Sequence, residues 1–486
     1  MDTQKASSFQ SLNGNVGNVR FGRKTLLLPQ MNRTGSHLFT AAFRAFGIEA
    51  KVMDTYKGLE LGLQCTSGKE CYPCQVTIGD ILHHLKGEQE RLGPAFNPED
   101  YIYFIPEADG PCRFGMYNKY QRLVLDSFPG LDRVKIASPT TQNAFSFDGM
   151  LDRRQVLNCK KALYFSVVVA EILDRLLLRV RPYERESGMA DEFIERSMHV
   201  MRTVFESHAG RMEFSKILDR LMEIAAEGKT LINPDVPPKP LIGIVGEIYL
   251  RSHVQSNQDL IRVLERYGAE VVNASAAEWF NWVSYDGLRT AKREFRLALK
   301  QLRLDTMAAS LRKMIDFGGD LLYKEFRQRK TYKKIKPILD LEEGHKVSHL
   351  EDILKEDDVF SFHIGTEACL SIAGILGYAA SGYNGVVNVY PFTCMPSMTA
   401  SAIAKPLMNR QRVPYLDVPC DSGVQPGREA AIRTFMYQAL QHFQRHGRRA
   451  SAKHHSTMPI SCSTTATPLV RAAVTMPLSP ARPEEG

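Results

Sequence analysis

Three cysteines lie within ten consecutive residues of this chain, in the sequence CTSGKECYPC. They are Cys65, Cys71 and Cys74, and their spacing is C-x5-C-x2-C. Thiolates bind zinc and iron and act as nucleophiles in redox reactions, so such a cluster points to chemistry. The spacing differs from the paired C-x2-C knuckles of structural zinc sites and from the cysteine run of bacterial ferredoxins. A disulfide, a zinc site, a redox pair and an iron–sulfur cluster are the alternatives.

The composition bears on these alternatives. The chain has 486 residues and nine cysteines, which is far too few for a secreted fold stabilised by disulfides. The first 20 residues are polar and lack the apolar segment of a signal peptide. The most apolar long segment, residues 162–180, includes Glu171, Asp174 and Arg175, so we expect a buried helix and no membrane span. We therefore expect a cytoplasmic protein with free thiols, in which a cysteine cluster indicates metal binding or catalysis.

The formal net charge of +8 raises the question of nucleic-acid binding. Part of the excess lies at the ends of the chain, as in HGRRASAKHH. No segment interleaves Arg and Lys with aromatic residues in the way that a nucleic-acid groove would. We therefore expect no nucleic-acid partner, and mild basicity equally suits an acidic small molecule or an acidic partner protein.

Alternating strand and helix patterns predict the fold. A strand at 25–30, a helix at 37–47 and a strand at 48–54 form one β–α–β unit, and a second unit follows the proline-rich segment NPDVPPKP. We expect an α/β protein with two Rossmann-like, doubly wound parallel-sheet domains and a helical connector. The predicted boundaries are a disordered N-terminus (1–20), a first α/β domain (21–150), a helical connector (151–232), a second α/β domain (233–445) with a helical insert at about 287–335, and a disordered tail (446–486).

Five cysteines follow predicted strands of these sheets. They are Cys65, Cys71 and Cys74 after the second strand, Cys112 after YIYFIPEADG and Cys394 after GVVNVYPF. In open α/β sheets the carboxyl ends of the strands border the ligand crevice, and helix N-termini there stabilise thiolates. We therefore expect the five thiols to meet in one pocket and to bind an iron–sulfur cluster held between loops or domains. Lys69 is expected to place a positive charge beside it.

Two other interpretations of the cysteine cluster stay open. One is a zinc site or a group of thiols that binds nothing. The other is a thioredoxin-like redox pair of Cys71 and Cys74, which is weaker because no predicted strand immediately precedes the pair.

The remaining cysteines have less specific surroundings. Cys369 begins a predicted helix after a predicted strand at 359–364, and it is a weak ligand candidate that more readily packs in the core. Cys420 is a second weak candidate. Cys159 is expected to pack in a helix, and Cys462 lies in the tail.

Three polar residues near predicted strand ends are weak catalytic candidates. Glu247 and His253 follow the strand LIGIVGEIY, where they could line the crevice together with Arg251 and Ser252. Glu367 lies in HIGTEA, and either carboxyl could instead cap a helix. Nucleotide-binding loops are not expected. EGKTLI ends like a phosphate loop, but Glu223 occupies the position of the required glycine, and LIGIVGEIY has two glycines where the dinucleotide fingerprint has three.

Five segments together resemble one known family, the iron–sulfur subunits of 2-hydroxyacyl-CoA dehydratases. They are SGKECYPCQVTIGD, PEADGPCRFGMY, GEIYLRSH, FHIGTEACLS and GVVNVYPFTCMPS. They are most similar to the branch found as the C-terminal part of large activase-fused proteins. The similarity extends from about residue 22 to about residue 440, with the motifs in the same order. The family has two Rossmann-like domains with helical elements and includes proteins with double-cubane clusters.

The resemblance implies a 4Fe-4S or double-cubane cluster bound by some combination of Cys65, Cys71, Cys74, Cys112 and Cys394. It also implies an ATP-hydrolysing activase that delivers one low-potential electron, which the dehydratases use to form a ketyl radical from an acyl-CoA thioester. The activase segment is missing from this sequence, so a separate partner is expected to supply it.

Two departures leave the chemistry open. Five thiols exceed the three that one dehydratase-type cluster takes from a subunit, and a double cubane needs a sixth, for which Cys369 and Cys420 are candidates. No stretch dictates coenzyme A binding. An ATP-coupled reductase of small molecules, a non-catalytic electron carrier and an oligomeric assembly therefore stay open.

Overall fold

The first half of the chain folds around a parallel sheet. A computed structural model describes residues 15–108, 110–356, 358–423 and 425–448. The strands of this sheet are β1 (Val16–Gly17), β2 (Thr25–Leu28), β3 (Ala50–Val52), β4 (Tyr101–Phe104) and β5 (Lys135–Ala137). Their spatial order is β1-β5-β4-β2-β3, and every pair of neighbours is parallel.

The second half contains a separate parallel sheet. Its strands are β6 (Leu241–Gly246), β7 (Glu270–Asn273), β8 (Gly385–Pro391) and β9 (Tyr415–Cys420). Their spatial order is β7-β6-β8-β9. All seven residues of β8 are buried, as expected for the uninterrupted apolar strands of a parallel sheet that is covered on both faces.

Both sheets have the same strand order. When the strands are counted from β2 in the first half and from β6 in the second, each sheet has the order 2-1-3-4, with β1 added at one edge of the first. This is the doubly wound plan, so the predicted α/β fold with two Rossmann-like parallel sheets is confirmed. The order reverses between β2 and β4 and between β6 and β8. These two switch points are where ligand crevices form in such sheets.

Helices connect the strands and link the two halves. They are α1 (Arg33–Arg44), α2 (Leu59–Gln64), α3 (Tyr72–Leu92), α4 (Tyr117–Asp126), α5 (Arg153–Val180), α6 (Met189–His208), α7 (Phe214–Thr230), α8 (Ile248–Ser252), α9 (Leu260–Arg266), α10 (Ala276–Lys300), α11 (Leu304–Ile335), α12 (Val347–Glu356), α13 (Ala368–Ala380), α14 (Met395–Gln411) and α15 (Arg428–His446). Both sheets and these helices belong to one compact unit.

Local capping fixes where the helices begin. The Asn32 side chain accepts a hydrogen bond from the Gly35 backbone N–H at 2.6 Å and so starts α1 directly after β2. The Ser275 hydroxyl accepts from the Glu278 N–H at 3.1 Å and starts α10 directly after β7. Both caps lie at the carboxyl end of a strand, so the first turns of these helices face the same edge of their sheet.

Helix α5 carries the charged residues that interrupt its apolar sequence. Glu171 is buried and accepts hydrogen bonds from the hydroxyls of Ser275 at 2.6 Å and Tyr332 at 2.7 Å. Arg175 is also buried and pairs with Glu171 at 3.2 Å. These groups therefore tie α5 to α10 and α11. No helix in the described part of the chain is long and apolar enough to cross a membrane.

Several local predictions are wrong. Residues 359–364 do not form a strand, because Phe362–Ile364 is a 3-10 turn whose start is capped by the Ser361 hydroxyl. Helical structure after β7 begins at Ala276 and not at about 287, since Ser275 caps it there. Val16–Gly17 pairs with β5, so the end of the segment predicted to be disordered is ordered. The start of the predicted disordered tail is ordered as well, because His446 ends α15 and Arg448 bonds to Glu270. The remaining residues of the disorder predictions, 1–14 and 449–486 with Cys462, lie outside the described residues.

Candidate functional site

A large cavity lies between the carboxyl ends of the two sheets. Its volume is about 1120 Å³. The loops that follow β2, β4, β6 and β8 all contribute to its lining, for example through Asn32, Ile105, Glu247 and Cys394. These are the four strands that flank the two switch points. The cavity therefore occupies the position at which doubly wound sheets bind ligands, shared here by two sheets.

Three thiols line this cavity, those of Cys71, Cys112 and Cys394. Each belongs to the residue immediately before a helix: Cys71 before α3, Cys112 before the 3-10 turn Arg113–Met116 that leads into α4, and Cys394 before α14. The first N–H groups of a helix have no partner within it and carry a partial positive charge. The three thiols therefore lie where the backbone favours negative charge.

Arg113 connects the three cysteine loops. Its guanidinium donates to the carbonyl of Lys69, two residues before Cys71, and to the carbonyl of Thr393 at 2.7 Å, next to Cys394. Arg113 itself follows Cys112 in the chain. One planar side chain with several donors in fixed directions can join loops in this way.

The backbone of two of these loops is strained. Cys71 has φ 93° and ψ 142°, and Thr393 has φ 65°, which are conformations that favour glycine. Such positions cost about 1–3 kcal/mol each and persist where the surroundings fix them, often at functional sites. At Gly110, near Cys112, φ is 91° and a Cβ would lie 2.9 Å from the carbonyl oxygen of Gly365. The two strained positions thus lie at Cys71 and next to Cys394, and a close backbone approach at Gly110 lies near Cys112.

Close helix packing holds the first cysteine loop. A Cβ on Gly62 of α2 would lie 2.0 Å from the carbonyl oxygen of Gln75, and a Cβ on Gly79 of α3 would lie 2.2 Å from that of Gly58. Only glycine allows the two helices to approach so closely. The loop that carries Cys71 joins these two helices, so their packing fixes its ends.

Burial keeps the cavity thiols protonated in this structure. It raises the pKa of Cys71 to about 11, against a hydrogen bond from Tyr117 that lowers it. It raises the pKa of Cys112 to about 12 and also raises that of Cys394, and the carboxyl of Glu367 adds to both shifts. A thiol must lose its proton to bind a metal ion, and the positive charge of the metal then takes the place of that proton. Two buried thiols and one half-buried thiol, near Arg113 and at three helix starts, fit a metal cluster in that respect.

The other predicted ligands lie elsewhere. Cys74 is fully buried in the first turn of α3 and packs in the core of the first sheet, and Cys65 lies half-buried at the end of α2. Cys369 packs among the apolar residues around α10, α12 and α13, and Cys420 ends β9 in the core of the second sheet. None of these four lines the cavity. The structure therefore brings together three of the five thiols predicted to meet. Cys159 is buried in α5, as predicted.

The three thiols do not form a compact site for one ion. In the part of the chain that the structure describes, no group of three or more His, Cys, Asp or Glu side chains is arranged to hold a single metal ion. An iron–sulfur cluster carries its iron atoms at separate corners, so its ligands come from points further apart than those of a single tetrahedral zinc ion. The three thiols come from separate loops, which is compatible with binding an iron–sulfur cluster.

Two carboxyl groups face the same cavity. Glu247 caps α8, because its oxygens accept from the N–H groups of Tyr249 at 3.0 Å and Leu250 at 2.9 Å. Glu367 precedes α13 without a side-chain capping bond. Burial and the nearby Glu247 raise the pKa of Glu367 to about 8. Both residues thus line the cavity, one as a cap and one as a group that holds a proton near neutral pH.

His253 and Lys69 do not line the cavity. His253 is buried, and its Nδ1 accepts from the Ser256 backbone N–H at 3.1 Å, so its Nε2–H faces the Thr55 hydroxyl at 2.9 Å. Burial lowers the pKa of His253 to about 4. Lys69 is exposed and contributes its carbonyl group, so the cation that contacts the cysteine loops is Arg113.

Sequence reasoning missed Arg113, whereas a second cavity arginine, Arg251, was predicted with Glu247 as a residue that could line the crevice. The signal for Arg113 was present, because it directly follows Cys112 in GPCRFG. Arg251 is marked only by its place after β6 in GEIYLRSH. The chain was compared with family models and with curated proteins, and neither comparison gives a match.

Proposed function

We propose that this is an iron–sulfur protein of the 2-hydroxyacyl-CoA dehydratase-like class and that Cys71, Cys112 and Cys394 hold its cluster. The observation that carries this proposal is that three thiols from loops far apart in the sequence line one cavity, each at the start of a helix. Three is also the number that one dehydratase-type cluster takes from a subunit in the family that the motifs resemble. When bound, such a cluster supplies one-electron chemistry at low potential.

The surroundings of the thiols suit this role. Arg113 holds two of the cysteine loops by their carbonyl groups and adds a positive charge beside the third. N–H groups at the three helix starts favour thiolates. Hydrogen bonds and charges of this kind orient metal ligands and tune their properties.

Glu367 is the cavity group that we propose to move a proton, because its carboxyl lies close enough to Cys112 and Cys394 to raise the pKa of both thiols. Its raised pKa, about 8, leaves its carboxyl oxygen protonated at neutral pH. A general acid works best when its pKa lies near the working pH. We assign it the transfer of a proton to the oxygen that leaves a substrate as water. Glu247 keeps its place as the cap of α8.

The cavity also has room for a substrate. Its volume of about 1120 Å³ lies slightly above the roughly 300–1,000 Å³ of typical ligand pockets. We infer that an ATP-hydrolysing activase delivers the electron and that an acyl-CoA or another small molecule is dehydrated or reduced here. A non-catalytic electron carrier is the alternative, and a zinc-stabilised interaction protein is a second one.

Metal and sulfide analysis of anaerobically purified protein tests the proposal. We expect brown protein with about four iron and four sulfide per chain and an EPR signal after reduction. Colourless protein with stoichiometric zinc would rule the proposal out. Protein that is reduced by an activase and ATP but converts no substrate would instead support the carrier.

Cysteine variants test which thiols bind the cluster. We expect Cys71→Ser, Cys112→Ser and Cys394→Ser each to lower iron retention by at least about 10-fold, because each removes a ligand at the cavity. Iron and sulfide per chain after gel filtration are the measurement. Cys159→Ala is the matched control, since Cys159 is buried in α5 away from the cavity lining. Full retention in Cys394→Ser together with loss in Cys74→Ala would contradict the assignment.

A further inference from the structure

Arg251 is a buried cation that faces the cavity without a partner. It lies on α8, directly after β6, and is 7% exposed. Among the described residues its guanidinium forms no ion pair and no hydrogen bond, and its Nε has no acceptor. Burying a charge without a partner is strongly unfavourable. A ligand that brings a negative charge to Arg251 would remove this cost.

The nearest carboxyl groups do not take that place. Both oxygens of Glu247 are used by the cap of α8. Glu278 is buried and lies close enough for Arg251 to oppose the rise of its pKa, but the two side chains form no ion pair among the described contacts. Burial still raises the pKa of Glu278 to about 7, so it is not a fixed negative charge at neutral pH. Glu367 also lies close enough for Arg251 to oppose the rise of its pKa, but the two side chains form no ion pair among the described contacts, and a pKa of about 8 keeps Glu367 protonated at neutral pH. The charge on Arg251 is therefore left for a group that enters the cavity.

Two more polar atoms of the lining lack partners. Trp282 is 9% exposed, and its indole Nε1–H has no acceptor among the described residues. Asn273 donates from Nδ2 to the Arg251 carbonyl at 3.0 Å, while its Oδ1 accepts no hydrogen bond within the described chain. The cavity thus presents the Arg251 guanidinium as a donor without a partner, and the buried Trp282 indole N–H and Asn273 Oδ1 belong to residues of the same lining. Native proteins rarely leave several buried polar groups unsatisfied in one place.

The ligand is restricted to a single negative charge with an apolar body. Two other arginines of the lining have no carboxylate partner among the described residues: Arg113, which is bonded to backbone carbonyl groups, and Arg293, which is exposed. The remaining five are already paired: Arg33 with Glu195, Arg175 with Glu171, Arg181 with Glu265, Arg262 with Asp191 and Arg289 with Glu351. A dianionic phosphate would need more than the one unpaired buried cation. Aromatic side chains of α10, including Trp279 and Trp282, line the same cavity and suit a hydrocarbon or an aromatic ring.

We propose that this part of the cavity binds a monocarboxylate, whose two oxygens accept from the Arg251 guanidinium and whose apolar body lies against Trp279 and Trp282. The planar fork of arginine matches the two oxygens of a carboxylate. The identification of the substrate as a small acid or an acyl group with a free carboxylate rests on the proposed function. The binding of a monocarboxylate by Arg251 does not require the cluster.

Tryptophan fluorescence can report this binding directly. The chain has two tryptophans, and both line the cavity. We would titrate anaerobically purified protein with 3-phenylpropionate and with hexanoate, and with the neutral 3-phenylpropanamide as the matched compound, and follow tryptophan fluorescence. We expect saturable binding of both acids and at least about 10-fold weaker binding of the amide, because a charged hydrogen bond contributes that much.

Substitution of Arg251 supplies the decisive comparison. Arg251→Gln should weaken binding of the acids by roughly 10-fold to 100-fold and leave the amide unchanged. Arg262→Gln, which removes a paired cavity arginine, should leave the affinity for the acids unchanged. Since Arg251→Gln removes an unpaired buried charge, we expect it to unfold at the same temperature as the wild type or higher. Arg251→Lys, which keeps the charge but loses the fork, gives a second variant with intermediate affinity.

The possible results distinguish the proposed carboxylate site from the proposed iron–sulfur function. Equal affinity for acid and amide, or acids bound equally by wild type and Arg251→Gln, would overturn the carboxylate site. Tighter binding of inorganic phosphate than of either acid would overturn it as well. Iron and sulfide are measured on the same samples. Protein without iron that still binds the acids through Arg251 would refute the proposed function and leave this inference intact.

Discussion

Arg113 has an unusual set of contacts for a partly exposed arginine. Its guanidinium donates to two backbone carbonyl groups that are far apart in the sequence, those of Lys69 and Thr393. Each of these residues lies next to or near a cavity cysteine. Backbone carbonyls do not titrate, so this connection does not depend on the protonation of a partner. Arg113 is therefore a positioning residue for the loops of Cys71 and Cys394.

Replacement of Arg113 should loosen these loops. We expect Arg113→Gln to lower iron retention by about 10-fold to 100-fold, the usual effect of losing a group that orients metal ligands. Arg113→Lys should not restore it, because one ammonium group cannot reach both carbonyls in the fixed directions of a guanidinium. Iron per chain and the rate of iron loss to a chelator are the measurements.

A matched substitution controls for general surface effects. Arg133 is exposed and pairs only with Glu99, at 3.7 Å. Arg133→Gln should retain iron like the wild type. If Arg113→Gln retained as much iron as Arg133→Gln, the positioning role would be wrong.

At the scale of elements, the pair α2–α3 presents Cys71 to the cavity. Gly58, at the start of α2, and Gly79, in α3, touch through their backbones, since a Cβ on either would lie within 2.2 Å of the other's carbonyl oxygen. Helices usually pack through side chains at interaxial distances of about 8–10 Å. Here the absence of side chains lets the short helix lie directly on the long one, so the loop between them has little freedom.

Two glycines of the same helix should respond in opposite ways to alanine. Gly79→Ala should destabilise the protein by about 1–3 kcal/mol, because the added methyl group overlaps the backbone of Gly58. Gly87→Ala should stabilise it by about 0.5–1 kcal/mol, because a Cβ there meets no atom within 4 Å and alanine loses less backbone entropy in a helix. Urea unfolding measures both, and equal effects of the two substitutions would refute the close contact.

At the scale of the whole molecule, a buried polar chain joins the two halves. The Thr55 hydroxyl, after β3, donates to Asp80 Oδ2 at 2.7 Å and lies 2.9 Å from Nε2 of His253 in the second half. Asp80 Oδ1 also accepts from the Tyr56 N–H at 2.7 Å. Burial nevertheless raises the pKa of Asp80 to about 7, against both hydrogen bonds. His253, a catalytic candidate by sequence, thus belongs to the contact between the halves.

The stability of the fold should depend on pH through Asp80. The folded-state pKa lies above the unfolded value, so the folded protein binds more protons between about pH 4 and pH 7 and this contribution is lost as pH rises through 7. From pH 5 to pH 8, the free energy of unfolding should fall by about 3 kcal/mol more in the wild type than in Asp80→Asn. Urea unfolding at several pH values measures the two slopes.

Other buried carboxyl groups with raised pKa values, such as Asp174 and Glu278, contribute in the same direction. They are present in both proteins, so their contribution cancels in the difference between the slopes. Asp340→Asn, on the exposed surface, is the control and should have the wild-type slope. Identical slopes for the wild type and Asp80→Asn would contradict the prediction.

The sequence by itself determined the fold class and the position of the chemistry along the chain. Apolar strand segments alternate with capped helices, and that pattern is local, so the two parallel sheets followed from it. Because parallel strands end at one edge, Cys112 and Cys394 could be placed at the ligand crevice before the structure was known. The segment at 359–364 misled because its apolar residues pack from a turn as readily as from a strand.

The tertiary structure alone decided which side chains share the cavity. Cys71 and Cys74 are three residues apart and pack in the same core cluster, yet of the two only Cys71 also lines the cavity, because it precedes α3 while Cys74 lies within the first turn of that helix. The contacts of Arg113 and the isolation of Arg251 depend on loops from both halves. The spacing of residues within one segment does not predict such contacts. Local patterns predict each sheet by itself, whereas these contacts depend on how the two sheets pack against each other.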